Sequence, residues 1–150
     1  MIHTRPLASS DLDTLLAVAA ASPEAASWGR DAYEAMLKDP HRGSCCVAEL
    51  RGNIAGFICF RVASDEAEVL NLAVLPSARR QGVGSRLLDD ALREALQQGA
   101  RRVFLEVRET NQPAILFYER HGFRVSARRR GYYADPPADA LVFARDLSAG

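Results

Sequence analysis

The sequence predicts a mixed α/β (α+β) fold in which one mostly antiparallel sheet of about seven strands is covered by helices on both faces. Three observations predict it. Runs rich in β-branched and aromatic residues are broken by segments of helical apolar spacing, in the order β-α-α-β-β-β-α-β-α-β-β. Two adjacent β-rich runs, 44–50 and 54–63, meet across Arg51-Gly52-Asn53, which suits a tight antiparallel turn. Over 150 positions, 48% hydrophobic and 25% charged residues are ordinary globular proportions, so the chain is expected to form one domain, 1–150, with no repeat or linker.

Taken in order, a short extended start at residues 2–5 precedes Ser10 and Asp13, spaced as a helix-initiating box. The helix expected over 11–21 is stopped by Pro23. A second helix over 28–38 places Trp28, Ala32, Ala35 and Met36 on one side and ends at Asp39-Pro40. After the hairpin, a strand over 68–74 is closed by Pro76, which has no N–H for a ladder. Residues 85–98 repeat apolar side chains at 87, 88, 91, 92, 95 and 96, the stripe of a helix buried on one side. Residues 102–108 alternate as a strand, Val103, Leu105 and Val107 facing opposite to Phe104, Glu106 and Arg108. Asn111 and Pro113 open a last helix that reaches His121, with Gly122 as its stop. Runs 123–130 and 140–147 close the chain as two strands joined by a Tyr-, Pro- and Asp-rich loop.

Composition excludes several functions. Nineteen basic and nineteen acidic side chains cancel, yet the first 75 residues carry six basic and ten acidic groups and the last 75 thirteen and nine. A polyanionic ligand would prefer the second half. Arg128-Arg129-Arg130 is too short a run for strong phosphate binding, so no nucleic acid partner is expected. The apolar runs 15–21 and 54–60 fall far short of the roughly 18 residues of a membrane span. No membrane partner is expected, and a cytoplasmic location is the default. Cys45, Cys46 and Cys59 read as small buried hydrophobes, and His3, His41 and His121 are too isolated for a metal cluster, so no metal is proposed.

The chemically informative stretch is Asn71-Leu72-Ala73-Val74-Leu75-Pro76, then Arg79-Arg80-Gln81-Gly82-Val83-Gly84, then an amphipathic helix. Glycines let backbone N–H groups converge, and the helix start behind them adds unpaired donors and a positive dipole end, together an anion cradle. Arg80 and Arg86 add charge. The loop lacks the Gly-Lys-Ser/Thr ending of a P-loop and the three-glycine spacing of a dinucleotide fold.

Arg79-x-x-Gly82-x-Gly84 behind that strand resembles the acetyl-CoA motif of the GNAT superfamily of N-acetyltransferases. Leu105-Glu106-Val107-Arg108-x-x-Asn111, Tyr118-Glu119-x-x-Gly122-Phe123 and Arg129-x-x-Tyr132-Tyr133 resemble its bacterial ribosomal-protein-alanine N-acetyltransferase branch, the RimI type. The likeness runs from about residue 66 to 147; the first 65 residues match mainly in element order and in Trp28 before a helix.

The resemblance implies the GNAT acyl-CoA N-acyltransferase fold and direct transfer of acetyl from acetyl-CoA to an amine. It implies backbone N–H groups of Leu72, Ala73 and Val74 on the acetyl carbonyl. It implies a coenzyme contact at Arg79 and a diphosphate over the turn from Arg80 through Gln81, Gly82, Val83 and Gly84 to Ser85. Glu106 aligns with the general base and Tyr118 with the general acid, roles typically worth ~10²–10⁴ each in rate. Asn111 matches a coenzyme contact and equally suits a helix cap. Tyr132 and Tyr133, in the expected final loop, would cover the acceptor's first residues. No Ser/His/Asp set is evident, in keeping with a mechanism that needs no side-chain nucleophile. The acceptor implied is the N-terminal α-amino group of a protein, a ribosomal protein starting with alanine; the alternative acceptor is a lysine side chain or a small-molecule amine.

Overall fold

A computed structural model describes residues 1–22 and 25–148. Seven strands form one sheet in the order β1-β2-β3-β4-β5-β7-β6. The strands β1 (Ile2–Pro6), β2 (Ser44–Leu50), β3 (Asn53–Ala63) and β4 (Glu66–Val74) are antiparallel neighbours. β5 (Arg102–Arg108) runs parallel to β4, and β7 (Pro137–Asp146) separates it from the edge strand β6 (Arg124–Ala134). The parallel step needs a crossover, supplied by α3 (Val83–Gln97). The remaining helices are α1 (Leu12–Ala20), α2 (Arg30–Lys38) and α4 (Gln112–Arg120).

Helices cover both faces because the sheet is apolar on both. On one face the α3 stripe, with Leu87 and Leu88 fully buried, packs on Ile58, Val103 and Phe143. On the other, Leu15 and Val18 of α1 and Tyr33 of α2 pack on Val47 and Phe57. Central strand β3 is buried without a break from Ala55 to Phe60, which is why its sequence reads as a continuous apolar run. Each such Leu or Phe contributes roughly 1.5–3 kcal/mol through its burial. Gly56 sits where a Cβ would lie 2.7 Å from the Ala73 carbonyl oxygen and 3.2 Å from Val83, so glycine alone lets β4 and α3 close on β3.

The expected element order is adopted, and several local expectations are corrected. The helix-initiating carboxylate is Asp11, not Asp13: a 3₁₀ turn at Ser9–Asp11 brings it to the Ala8 N–H (2.8 Å), and Arg5 clamps it with two bonds of 2.7 and 2.9 Å. Asp13 instead pairs with Arg30. Pro23, the expected stop of α1, lies outside the described residues. The second helix starts at Arg30, because extended Gly29 precedes it, leaving Trp28 ahead of the helix and making Tyr33 its buried residue. Tyr132 and Tyr133 belong to strand β6, and the closing turn is Asp135-Pro136. A bulge between Arg129 and Tyr133, pinned by the Gly131 N–H on Asp139 (2.8 Å), extends the strand past the expected end.

The cysteines also depart from expectation. Cys45 and Cys59 are buried, but the β2–β3 register sets them opposite one another, 4.2 Å apart at Cα, as a disulfide; Cys46 remains a free thiol. The hairpin expected about residues 51–53 already sets position 45 opposite 59, a signal the sequence reading did not use. Among the described residues no helix is long and apolar enough to cross a membrane, and no group of three or more His, Cys, Asp and Glu side chains is gathered to hold a metal ion.

Candidate active site

The site begins where two strands part. Pairing of β4 with β5 ends at Glu68 and Phe104, although the strands continue to Val74 and Arg108. A cleft of about 950 Å³ opens beyond that point. The Leu75 N–H donates to Ala55 of β3 (2.8 Å), so the two-residue alternation turns the Ala73 N–H to β3 and those of Leu72 and Val74 into the gap. Leu72 lines the cleft, whereas the Ala73 side chain is buried with the α1 and α2 core. The Val74 carbonyl already accepts from the Ser22 hydroxyl (3.2 Å). The open donors therefore come from alternate residues of the expected trio.

The glycine turn lies beside this cleft rather than in its wall. Arg80 (φ +65°) and Gly82 (φ +84°) both take the left-handed conformation, and Gly82 starts α3. The first backbone bond of the helix runs from Arg86 N–H to Gly82 (3.0 Å), which leaves the N–H groups of Val83, Gly84 and Ser85 without helical acceptors. These donors and the dipole end are what a phosphate-bearing coenzyme needs, and the residues present fit one. A Cβ on Gly84 would meet the Phe117 ring at 3.5 Å and Val74 at 3.6 Å, placing the turn between the end of β4 and α4. Arg86, expected to add charge, bonds Asp90 (3.1 Å) and the Ile2 carbonyl (3.3 Å) instead.

Glu106, Asn111, Tyr118, Tyr132 and Tyr133 all line the same cleft. Glu106 projects from β5 on the face expected from its alternation, and Arg129 of β6 approaches its carboxylate at 3.4 Å. Tyr118 is 8% exposed, held edge-on between Phe117 and Phe123, and burial pushes its phenol well above the usual tyrosine range. It therefore keeps its proton. The Asn111 side chain accepts from Ala114 N–H (3.2 Å) and so caps α4, while the residue also borders the cleft. Tyr132 is half exposed, and the Glu106 charge first, then a hydrogen bond with it, raises the Tyr132 phenol. Arg108 stacks over Tyr133 at 4.3 Å and donates to the Pro136 carbonyl at 2.6 Å, fixing that rim.

The opposite rim is the segment 25–28, and its anchor is a residue the sequence reading assigned no role. Asn71, 6% exposed and flanked by the apolar residues 69–70 and 72–74 of β4, accepts from Ala26 N–H (3.1 Å) and donates to the Tyr33 hydroxyl (3.2 Å). A lone amide on a buried strand position was the available signal, since buried polar groups are paired. Trp28 then rests against Tyr33 at 5.3 Å between ring centres. A second omission concerns Ser85, whose hydroxyl lies 3.0 Å from His121 Nε2, with His121 Nδ1 3.5 Å from Asp89. Folding brings α4 back onto α3 and so gathers these three side chains.

Comparison with known proteins follows this geometry. The model of the acetyltransferase (GNAT) family matches residues 12–123. A Bacillus subtilis (strain 168) protein provisionally named a ribosomal protein bS18-alanine N-acetyltransferase is 32% identical over 139 residues, covering 92% of this chain and 91% of its own. The Escherichia coli (strain K12) ribosomal protein bS18-alanine N-acetyltransferase is 39% identical over 99 residues, covering 65% and 67% of the two chains. The crystal structure of the ribosomal-protein-S18-alanine N-acetyltransferase from Escherichia coli superposes with a TM-score of 0.85 at 30% identity, over 100% of this chain and 96% of that one.

Proposed function

This chain belongs to the acetyltransferase (GNAT) family and is an acetyl-CoA-dependent N-acetyltransferase, and from that premise we propose that its acceptor is the N-terminal α-amino group of a protein, a ribosomal protein beginning with alanine. The observation that carries the reading is the cleft itself: a carboxylate and a proton-bearing phenol converge where β4 leaves β5, between two aromatic rims. Trp28 stands on one rim and Tyr132 and Tyr133 on the other, a shape suited to a chain end rather than to a broad surface. The names of the bacterial relatives point the same way.

Bound acetyl-CoA supplies an acetyl group activated as a thioester. The Leu72 and Val74 N–H groups face the gap where its carbonyl would be held, and the α3 start takes the diphosphate. Glu106 receives the amine's proton through water, with Arg129 keeping the carboxylate aimed into the cleft. An α-amino group, at about pKa 7.7–8.0, is easier to deprotonate near neutral pH than lysine at about 10.4. Tyr118 holds a proton for the departing sulfur. One bond forms, nitrogen to carbonyl carbon, and one breaks, carbon to sulfur, with no acyl-enzyme between them.

Peptide panels test the acceptor. Peptides with a free N-terminal alanine should be acetylated and their N-terminally blocked, lysine-containing counterparts should not. Equal turnover of the blocked set would overturn the α-amine assignment in favour of a side-chain or small amine.

A further inference from the structure

We propose that His121 is a positioning residue that decides, by its protonation state, whether the Ser85 hydroxyl can donate to the coenzyme's phosphate. The inference rests on the reading that the start of α3 holds that phosphate. Ser85 occupies the first turn of α3, where the N–H groups lack helical acceptors. His121, at the end of α4, sets Nε2 3.0 Å from its hydroxyl oxygen. On the ring's other side Nδ1 lies 3.5 Å from the Asp89 carboxylate. The Phe117 ring covers the imidazole at 4.7 Å between centres, and its side chain is 17% exposed.

Proton accounting makes the arrangement a switch. The carboxylate of Asp89 favours a proton on Nδ1. In a neutral imidazole Nε2 is then a bare acceptor, which draws the Ser85 O–H and turns the hydroxyl's lone pairs outward. That orientation repels a phosphate. When both nitrogens carry protons, Nε2–H donates to Ser85, the hydroxyl proton is released, and Ser85 donates to the anion while the imidazolium adds positive charge behind it. Phosphate binding and protonation of His121 thus favour one another.

Among the described residues, the charged groups seen against His121 from other elements are Asp89 of α3 and Arg145 of β7. Arg145 engages the His121 main-chain carbonyl (2.9 Å) rather than the ring. Glu119 and Arg120 precede it on its own helix. Asp89 is therefore the charge aimed at the imidazole. The sign follows: affinity for the coenzyme is full when His121 carries both protons and declines as the ring loses one.

Calorimetric titration of the full chain with acetyl-CoA tests this, run from pH 6 to 8 in buffers of different ionisation enthalpy. The wild-type chain should take up more protons on binding than His121→Gln, whose amide can donate to Ser85 at every pH, and should lose about tenfold more affinity across the range. Asp89→Asn, at an exposed position, should flatten the same slope by freeing the Nε2–H tautomer, with affinity at pH 8 kept or improved. Ser85→Ala should lose the advantage at pH 6. Proton uptake and pH slope identical in wild type, His121→Gln and Asp89→Asn would overturn the inference while leaving coenzyme binding intact. Absence of any binding by the wild-type chain would instead remove the coenzyme reading beneath it.

Discussion

Replacing Asn71 by alanine removes two hydrogen bonds that span the fold, one to Ala26 N–H and one to the Tyr33 hydroxyl. Each intact bond is worth about 0.5–1.5 kcal/mol, and stranding a buried partner costs about 1–3 kcal/mol. Tyr33 is fully buried, so its hydroxyl gains no water in compensation, and the expected loss of unfolding free energy is about 2–4 kcal/mol. Tyr33→Phe deletes the stranded group. In that background Asn71→Ala should therefore cost about 1 kcal/mol less, a coupling of the size found for residues in direct contact. Urea unfolding of the four proteins of the cycle measures it. Under conditions where Asn71→Ala remains folded, freeing the segment 25–28 should raise KM for the acceptor peptide several-fold and leave acetyl-CoA affinity unchanged. Strict additivity, or equal losses of peptide and coenzyme affinity, would refute the assignment of Asn71 as the anchor of the acceptor rim.

Glu106→Gln and Tyr118→Phe should each lower turnover at least tenfold with little change in acetyl-CoA affinity by calorimetry; wild-type rates in both would void the acid and base roles. Gly56→Ala places a methyl 2.7 Å from the Ala73 carbonyl oxygen and should destabilise by about 1–3 kcal/mol in denaturant unfolding, because backbone rather than a flexible side chain must move. Arg5, bonded to Asp11, holds that carboxyl below the usual carboxylate range, so the pair's contribution is present above the unfolded-state value near pH 3.9 and is lost as pH falls through the lower folded one. Arg5→Met should accordingly shift acid unfolding to higher pH, read by circular dichroism; an unchanged acid midpoint would deny the linkage.

The parts of the molecule legible from sequence share a property: each depends on neighbours along the chain. The α3 stripe from Leu87 to Ala95, the alternation that aims Glu106 away from the core and the Asn111 cap of α4 all rest on local periodicity or capping. The glycine turn likewise owes its left-handed Gly82 to its own residues. The final hairpin was less legible because the Asp139 bond that pins its bulge reaches across eight positions, beyond what turn composition encodes.

Periodicity and turn chemistry were enough to specify the order of the elements and a glycine loop able to cradle an anion, because each of those is settled within one or two turns of chain. Tertiary structure alone decided which side chains meet. The Ser85–His121 bond spans 36 positions, Asn71–Tyr33 38 and Asn71–Ala26 45. The cleft exists only because β4 and β5 part after three paired positions, at Glu68 and Phe104. Contacts of this kind depend on the sheet's twist and the packing of both helical layers, quantities that no local window of residues contains.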